Sequence, residues 1–159
     1  PLHPICTNNA RIFAKKSLAW EYKTIESLNS IKLLAVKGFS YANQEIDRYI
    51  EENDRGNVIL ITGDKPTQRG LELLDHQKAD VMIEGHLVFH YYASISSKQK
   101  SSLFEYRGPI LGVFKNYLSF TPNSIQSQKL SNIVDSEMPK LIESGFISRI
   151  YTKYGMQQE

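Results

Sequence analysis

Long hydrophobic runs are missing from this 159-residue chain: no stretch reaches the roughly 18 consecutive apolar residues that would suggest a membrane-spanning helix. Cysteine occurs once, at Cys6, which excludes an internal disulfide and a thiolate zinc cluster. A buried small hydrophobe is the default reading of such a residue. Charge of one sign is not in excess, since 19 Lys and Arg stand against 17 Asp and Glu for a net charge of +2. With no basic stripe carrying interleaved aromatics, nucleic-acid binding by charge is not expected. A Walker loop, a dinucleotide fingerprint and a nucleophile elbow are all missing. Gly108-Pro109 followed by Gly112 is a turn rather than a phosphate cradle, and no Ser–His–Asp or Cys–His set assembles from the spacing. The sequence opens on Pro1 with no visible signal peptide, so a processed product or a fragment is expected.

What is there begins with a 41% hydrophobic content, enough for a packed core. An apolar run, Ile31 to Val36, breaks at Lys37-Gly38-Phe39-Ser40-Tyr41 into a helical pattern. A second run, Val58 to Thr62, stops at Gly63-Asp64 and gives way to a helix-like stretch from Pro66 to His76. A third, Val81-Met82-Ile83, ends on Glu84. Continuous apolar runs of this length bounded by turn residues read as buried strands. The order is therefore strand, helix, strand, helix, strand, and it puts polar residues at each strand's carboxyl end, where open α/β sheets bind ligands.

Around this unit, Leu2 to Thr7 reads as extended, Asn8-Asn9 as a turn, and Arg11 to Ala14 as a further short strand. Tyr41 to Glu52 reads as a helix with Ser40 as its N-cap, because a hydroxyl there can accept from a free backbone donor. Pro66 suits a first helical turn. His86 to Ala93 is apolar and aromatic enough for a short buried helix, and 94–102 is a Ser/Lys-rich loop. Leu103 to Tyr106 and Val113 to Phe120 read as strands. Apolar residues from Leu130 to Ile142 recur at helical spacing, and a last helix covers Ile147 to Tyr154.

Several residues could carry chemistry. Gly38, Phe39, Ser40 and Tyr41 form a loop at a helix N-terminus, whose free donors suit a carboxylate or phosphate; a plain capped helix start is the competing reading. Thr62, Gly63 and Asp64 would face the same crevice, although a turn acid is the commoner fate of Asp after Gly. Arg11 could be a cleft cation, with surface ion pairing the commoner outcome. His86 and His90 are four apart on one helix face, but no third ligand is evident and no metal site is expected. No catalytic residue and no cofactor is assigned.

The ordered pieces resemble the family 3 periplasmic solute-binding proteins, the amino-acid receptors of ABC importers. They are the strand into Gly38-Phe39-Ser40-Tyr41, then Arg69 to Leu74 leading into Ala79 to Glu84, then Tyr117 to Pro122, and the tail Leu141 to Ile147 with Ile150 and Tyr154-Gly155. The resemblance implies an α/β fold with a type II periplasmic-binding-protein lobe. That lobe has a mixed, mainly parallel sheet flanked by helices, with hinge strands and C-terminal helices that belong to an incomplete first lobe. It implies a division into 1–22 (hinge strand and remnant of lobe 1), 23–112 (lobe 2) and 113–159 (return strand and C-terminal helices of lobe 1). It also makes Glu84 the acid that pairs with a ligand's ammonium group, which completes the set Gly38, Phe39, Ser40, Tyr41, Thr62, Asp64 and Glu84.

The segment that builds most of the family's first lobe is not found, so the resemblance is to an N-terminally truncated member. The helices after Thr121 then need another cover, and a homodimer or a rearranged packing is the expected one. The function implied is non-catalytic binding of a small polar, amino-acid-like solute in the periplasm, with an ABC permease as partner and no nucleic acid. The alternatives are a ligand-sensing input domain of a signalling protein, a truncated paralogue that binds little, and a dehydratase-like enzyme using Glu84 as its acid.

Overall fold

The computed structural model describes residues 1–54, 56–96 and 102–156. Six strands form one mixed sheet: β1 (Cys6–Lys15), β2 (Leu33–Val36), β3 (Val58–Ile61), β4 (Val81–Gly85), β5 (Phe104–Tyr106) and β6 (Gly112–Asn116). Their order is β3-β2-β4-β1-β5, with β6 also paired to β1. The two ladders of β2, to β3 and to β4, are parallel. The three ladders of β1, to β4, β5 and β6, are antiparallel. Parallel character is thus confined to the β3-β2-β4 half.

Strand β1 carries most of the organisation. It runs unbroken through Asn8-Asn9, where the composition predicts a turn. Both its edges are paired: Ala10 to Ala14 lie on β4, Lys15 to Phe13 on β5, and Cys6 to Ala10 on β6. The turn potential of Asn8 is overridden because its side chain is used elsewhere. Its Oδ1 accepts from the Leu87 backbone N–H at 3.0 Å, satisfying a donor that a helix start leaves orphaned.

The helices are α1 (Gln44–Glu52), α2 (Pro66–Asp75), α3 (His86–Ser96), α4 (Ile125–Glu143) and α5 (Phe146–Lys153), and a 3₁₀ turn spans Ile25–Ser30. Side-chain alternation in the strands divides the core into two layers. Ile12, Leu33, Ala35, Val81 and Ile83 pack with Ile46, Tyr49 and Ile50 of α1 on one face. Phe13, Leu34, Val36 and Met82 pack with Leu71 and Leu74 of α2 and Phe89 and Ala93 of α3 on the other.

Helix α1 starts three residues later than its apolar pattern predicts, because Asn43 rather than Ser40 is the cap. The Asn43 side chain accepts from the Glu45 and Ile46 backbone at 3.1 and 3.2 Å. Helix α3 runs on to Ser96, into the Ser/Lys-rich stretch read as a loop; the remainder of that loop at 97–101 lies outside the described residues. Strand β6 stops at Asn116 rather than Phe120. Of α4 only Met138 is buried, while Ile125, Leu130, Ile133 and Ile142 are exposed.

Candidate functional site

Register brings the three parallel strands to a common end. Leu33 is level with Val58 on one side and with Val81 on the other. The loops after Val36 and Ile61 and the Glu84-Gly85 end of β4 therefore emerge from one edge. The Lys37 N–H still donates to the Ile61 carbonyl at 3.0 Å, so the first two loops start side by side.

The loop after β2 reverses through left-handed backbone at Gly38 (φ 79°) and Ala42 (φ 55°). Between them the Ser40 hydroxyl donates to Asp47 Oδ2 at 2.6 Å, and the Tyr41 N–H donates to Asp47 Oδ1 at 2.8 Å. The carboxylate of α1's own Asp47 thus occupies donors that the sequence offers to a ligand anion. Gly38, Phe39 and Ser40 line a cavity of about 430 Å³ together with Lys37, Asp47, Glu51 and Asp54 on its polar side and Ile50 and Leu60 on its apolar side.

Tyr41 does not reach that cavity. It is 1% exposed, packed on the α1 face, and its hydroxyl accepts from the Val36 N–H at 2.8 Å. Burial pushes the phenol well above its ordinary range. Tyr41→Phe is expected to leave that buried N–H without its partner and to cost about 1–3 kcal/mol, read as a lower urea midpoint at unchanged slope.

Thr62, Gly63 and Asp64 are exposed at the end of β3, next to the β2 loop. Glu84 is not on this rim. It shares the parity of Met82 and so points to the α2 face, where it is 3% exposed. Its Oε2 accepts from the Thr67 hydroxyl at 2.7 Å and its Oε1 from the Gly85 N–H at 2.8 Å. Desolvation raises the carboxyl's pKa, and these two bonds oppose the rise without cancelling it.

A buried acid with a raised pKa has a definite effect on stability. Over the interval between the unfolded value and the raised folded value the native state holds more protons, so stability falls as pH climbs through it. Glu84→Gln keeps both contacts, its carbonyl serving Gly85 and its amide donating to Thr67. It is expected to remove that slope and to be more stable than the parent at pH 7, while the two proteins converge below the ordinary carboxylate range. Thermal midpoints taken from pH 4 to 8 measure this.

The remaining candidates have structural partners. Arg11 Nη1 donates to the Gly108 carbonyl at 3.3 Å, and its guanidinium lies 4.7 Å from the Tyr106 ring centre. His90 Nε2 lies 3.0 Å from the Tyr106 hydroxyl, whereas His86 Nδ1 faces the Asn9 N–H at 3.5 Å. Among the described residues no group of three or more His, Cys, Asp or Glu is placed to hold a metal ion.

The structure therefore joins Gly38, Phe39 and Ser40 in one cavity and sets Thr62 and Asp64 beside it. Tyr41 and Glu84 lie beneath, on opposite faces of the sheet. Two residues central to the arrangement, Asp47 and Thr67, escape the sequence reading. Asp47 looks like any first-turn helix acid, and only its distance from the Ser40 loop could have drawn attention to it. Thr67 carries no signal beyond its place after Pro66.

No protein-family model matches the chain, and no curated protein matches it. Solved structures do. The probable amino-acid ABC transporter extracellular-binding protein ytmK from Bacillus subtilis is 18% identical, with a TM-score of 0.67 over 95% of this chain and 61% of its own. Substrate-binding domain 2 of Lactococcus lactis GlnP, in its open conformation, is 17% identical, with a TM-score of 0.63 over 98% of this chain and 62% of its own. A histidine kinase sensor domain with similarity to periplasmic binding proteins is 13% identical, with a TM-score of 0.64 over 96% of this chain and 60% of its own. The chain has the fold of a periplasmic-binding-protein lobe with a mixed sheet flanked by helices, and it spans about three fifths of the length of these neighbours.

Proposed function

We propose that the chain is a non-catalytic binding module, or a fragment of one, for a small polar, amino-acid-like solute held at the carboxyl edge of the parallel strands. The observation that carries this reading is the shared register of β2, β3 and β4, which gathers the two polar loops after β2 and β3 and the end of β4 at the edge where sheets of this kind bind ligands. The likeness to a probable amino-acid ABC transporter extracellular-binding protein and to a substrate-binding domain supports it.

In this reading Gly38, Phe39, Ser40, Tyr41, Thr62, Asp64 and Glu84 form the binding set. Phe39, Ser40 and Asp64 are exposed and meet the solute first, while Tyr41 holds the loop from below. Glu84 serves the solute's ammonium group by giving up its bond to Thr67. That exchange trades a neutral donor for a charged one, and charge-assisted bonds are the stronger kind. Residues 23–112 act as the second lobe. β1 and β6, antiparallel neighbours from Cys6↔Asn116 to Ala10↔Gly112, act as the crossing strands about which lobes close.

The role is that of the solute receptor of an ABC importer, working in the periplasm and delivering to a permease. The exposed apolar residues of α4 supply a surface for a homodimer. The likeness to a histidine kinase sensor domain favours a second reading, in which the same site serves as the input of a signalling protein.

A thermal-shift panel of amino acids tests the proposal. A solute at ten times its Kd adds about 1.4 kcal/mol of stability, and at least one amino acid is expected to do so. The double variant Ser40→Ala/Asp64→Asn is expected to abolish the response, and Glu84→Ala to abolish the part that depends on the amine. Silence across the panel, or an undiminished response in the variants, would remove the edge as the site.

A further inference from the structure

A second cavity, about 340 Å³, lies between the first half of β1, the start of α3 and the helices α4 and α5. It shares no lining residue with the cavity at Gly38 to Ser40, and its volume is in the range of small-molecule sites. Its polar lining is Cys6, Thr7, Asn9, His86 and Tyr151, and among the described residues no Asp, Glu, Lys or Arg faces it. The opposite lining includes Leu87, Ile142 and Ile147.

The sheet-side wall is held in place. Asn8, buried beneath it, fixes the first turn of α3 through the Leu87 N–H. A Cβ at Gly85 would come within 2.2 Å of the Asn8 amide nitrogen, so only glycine allows that approach. Asn116 Nδ2 donates to the Cys6 sulfur at 3.1 Å, which orients the thiol. Cys6 is accordingly half-buried and not the core hydrophobe that its solitary occurrence suggests.

The polar groups that the described residues bring to the cavity are a thiol, two hydroxyls, an amide and an imidazole. His86 Nδ1 faces the Asn9 N–H at 3.5 Å. Burial and then the nearby Cys6 sulfur push the Tyr151 phenol up, so it stays protonated as a hydrogen-bond donor. A charged solute entering here would lose hydration with no Asp, Glu, Lys or Arg among the described lining residues to offset the loss. A molecule with an apolar body and one or two hydrogen-bonding groups would meet matching chemistry on both walls.

We propose that this cavity is a binding site for a small uncharged molecule with an apolar body and hydrogen-bonding groups, separate from the strand-edge site and independent of the reading given to it. Cys6, the only thiol in the chain, reports occupancy directly. Its alkylation by iodoacetamide, followed by intact mass, is measured with nicotinamide as the neutral probe and with arginine and glutamate as charged ones.

Nicotinamide at about 10 mM, above the ~1 mM Kd of a weak site, is expected to slow alkylation at least severalfold and saturably, whereas the charged probes leave the rate unchanged. Ile147→Trp, which fills the cavity, is expected to abolish the nicotinamide dependence. The gentler Tyr151→Phe is expected to raise the half-protecting concentration about fivefold, as loss of one hydrogen bond does. An alkylation rate indifferent to nicotinamide, equal protection by the charged probes, or protection unaltered in both variants would overturn the proposal. None of these outcomes bears on the amino-acid panel, which reads the strand-edge site.

Discussion

Gly112→Ala is expected to destabilise the fold by about 3 kcal/mol, at the upper end for an overpacking substitution, seen as a lower urea midpoint with an unchanged slope. A Cβ on Gly112 would stand 2.1 Å from the Tyr41 carbonyl oxygen and 2.8 Å from that of Ala42. Both obstacles are backbone, so neither can swing aside. The same place is fastened from the other side, where Asn43 Nδ2 donates to the Leu111 carbonyl at 2.8 Å and the Leu111 N–H donates to Ala10 at 2.9 Å. Strand β6 is thereby keyed to the loop that presents Phe39 and Ser40, and relief of the clash must move one or the other. The variant is accordingly expected to lose the amino-acid response even under conditions where it remains folded.

Phe13→Ala is expected to cost about 3–5 kcal/mol, the usual loss for emptying a buried phenylalanine site. Phe13 is 1% exposed and sits where three strands meet, opposite Met82 on β4 and Tyr106 on β5. Its ring stacks on Phe89 of α3 with centroids 3.7 Å apart and planes within 5°. Removing it separates α3 from the sheet. For a domain of this size the loss corresponds to a fall of roughly 10 °C in the thermal midpoint. Ile125→Ala, at a position 80% exposed, is the matched control and is expected to stay within about 0.5 kcal/mol of the parent.

What the sequence made legible follows from where its signals are local. The runs at Leu33–Val36, Val58–Ile61 and Val81–Gly85 are continuous in apolar character because both faces of those strands are covered, and that pattern needs no knowledge of neighbours. The likeness to binding-protein lobes was legible for the same reason, from ordered pieces at set spacings. The turn expected at Asn8-Asn9 does not form because intrinsic turn preference yields to pairing with β6, where Asn8 stands opposite Phe114 and Asn9 opposite Val113, and nothing local announces that partner. The cap of α1 was placed at Ser40 instead of Asn43, since both are good caps and only the fold shows that Ser40 is taken by Asp47.

The orientation of Glu84 was the least accessible part of the site. Strand parity makes it point towards α2, but the Thr67 hydroxyl waiting there is 17 positions away in sequence. A carboxylate at a strand end looks the same whether it faces solvent or a helix start. The cavity bounded by Cys6, His86 and Tyr151 gathers residues from both ends of the chain and its middle, and no spacing rule could assemble them.

Weak binding by one lobe is best seen residue by residue, so the most direct test of the strand-edge account is amide chemical-shift mapping of the isotopically labelled protein during titration with amino acids. The account predicts that saturable shifts concentrate at Gly38 to Tyr41, Thr62 to Asp64 and Glu84-Gly85. Shifts that cluster elsewhere, or a spectrum that no amino acid perturbs, would contradict it.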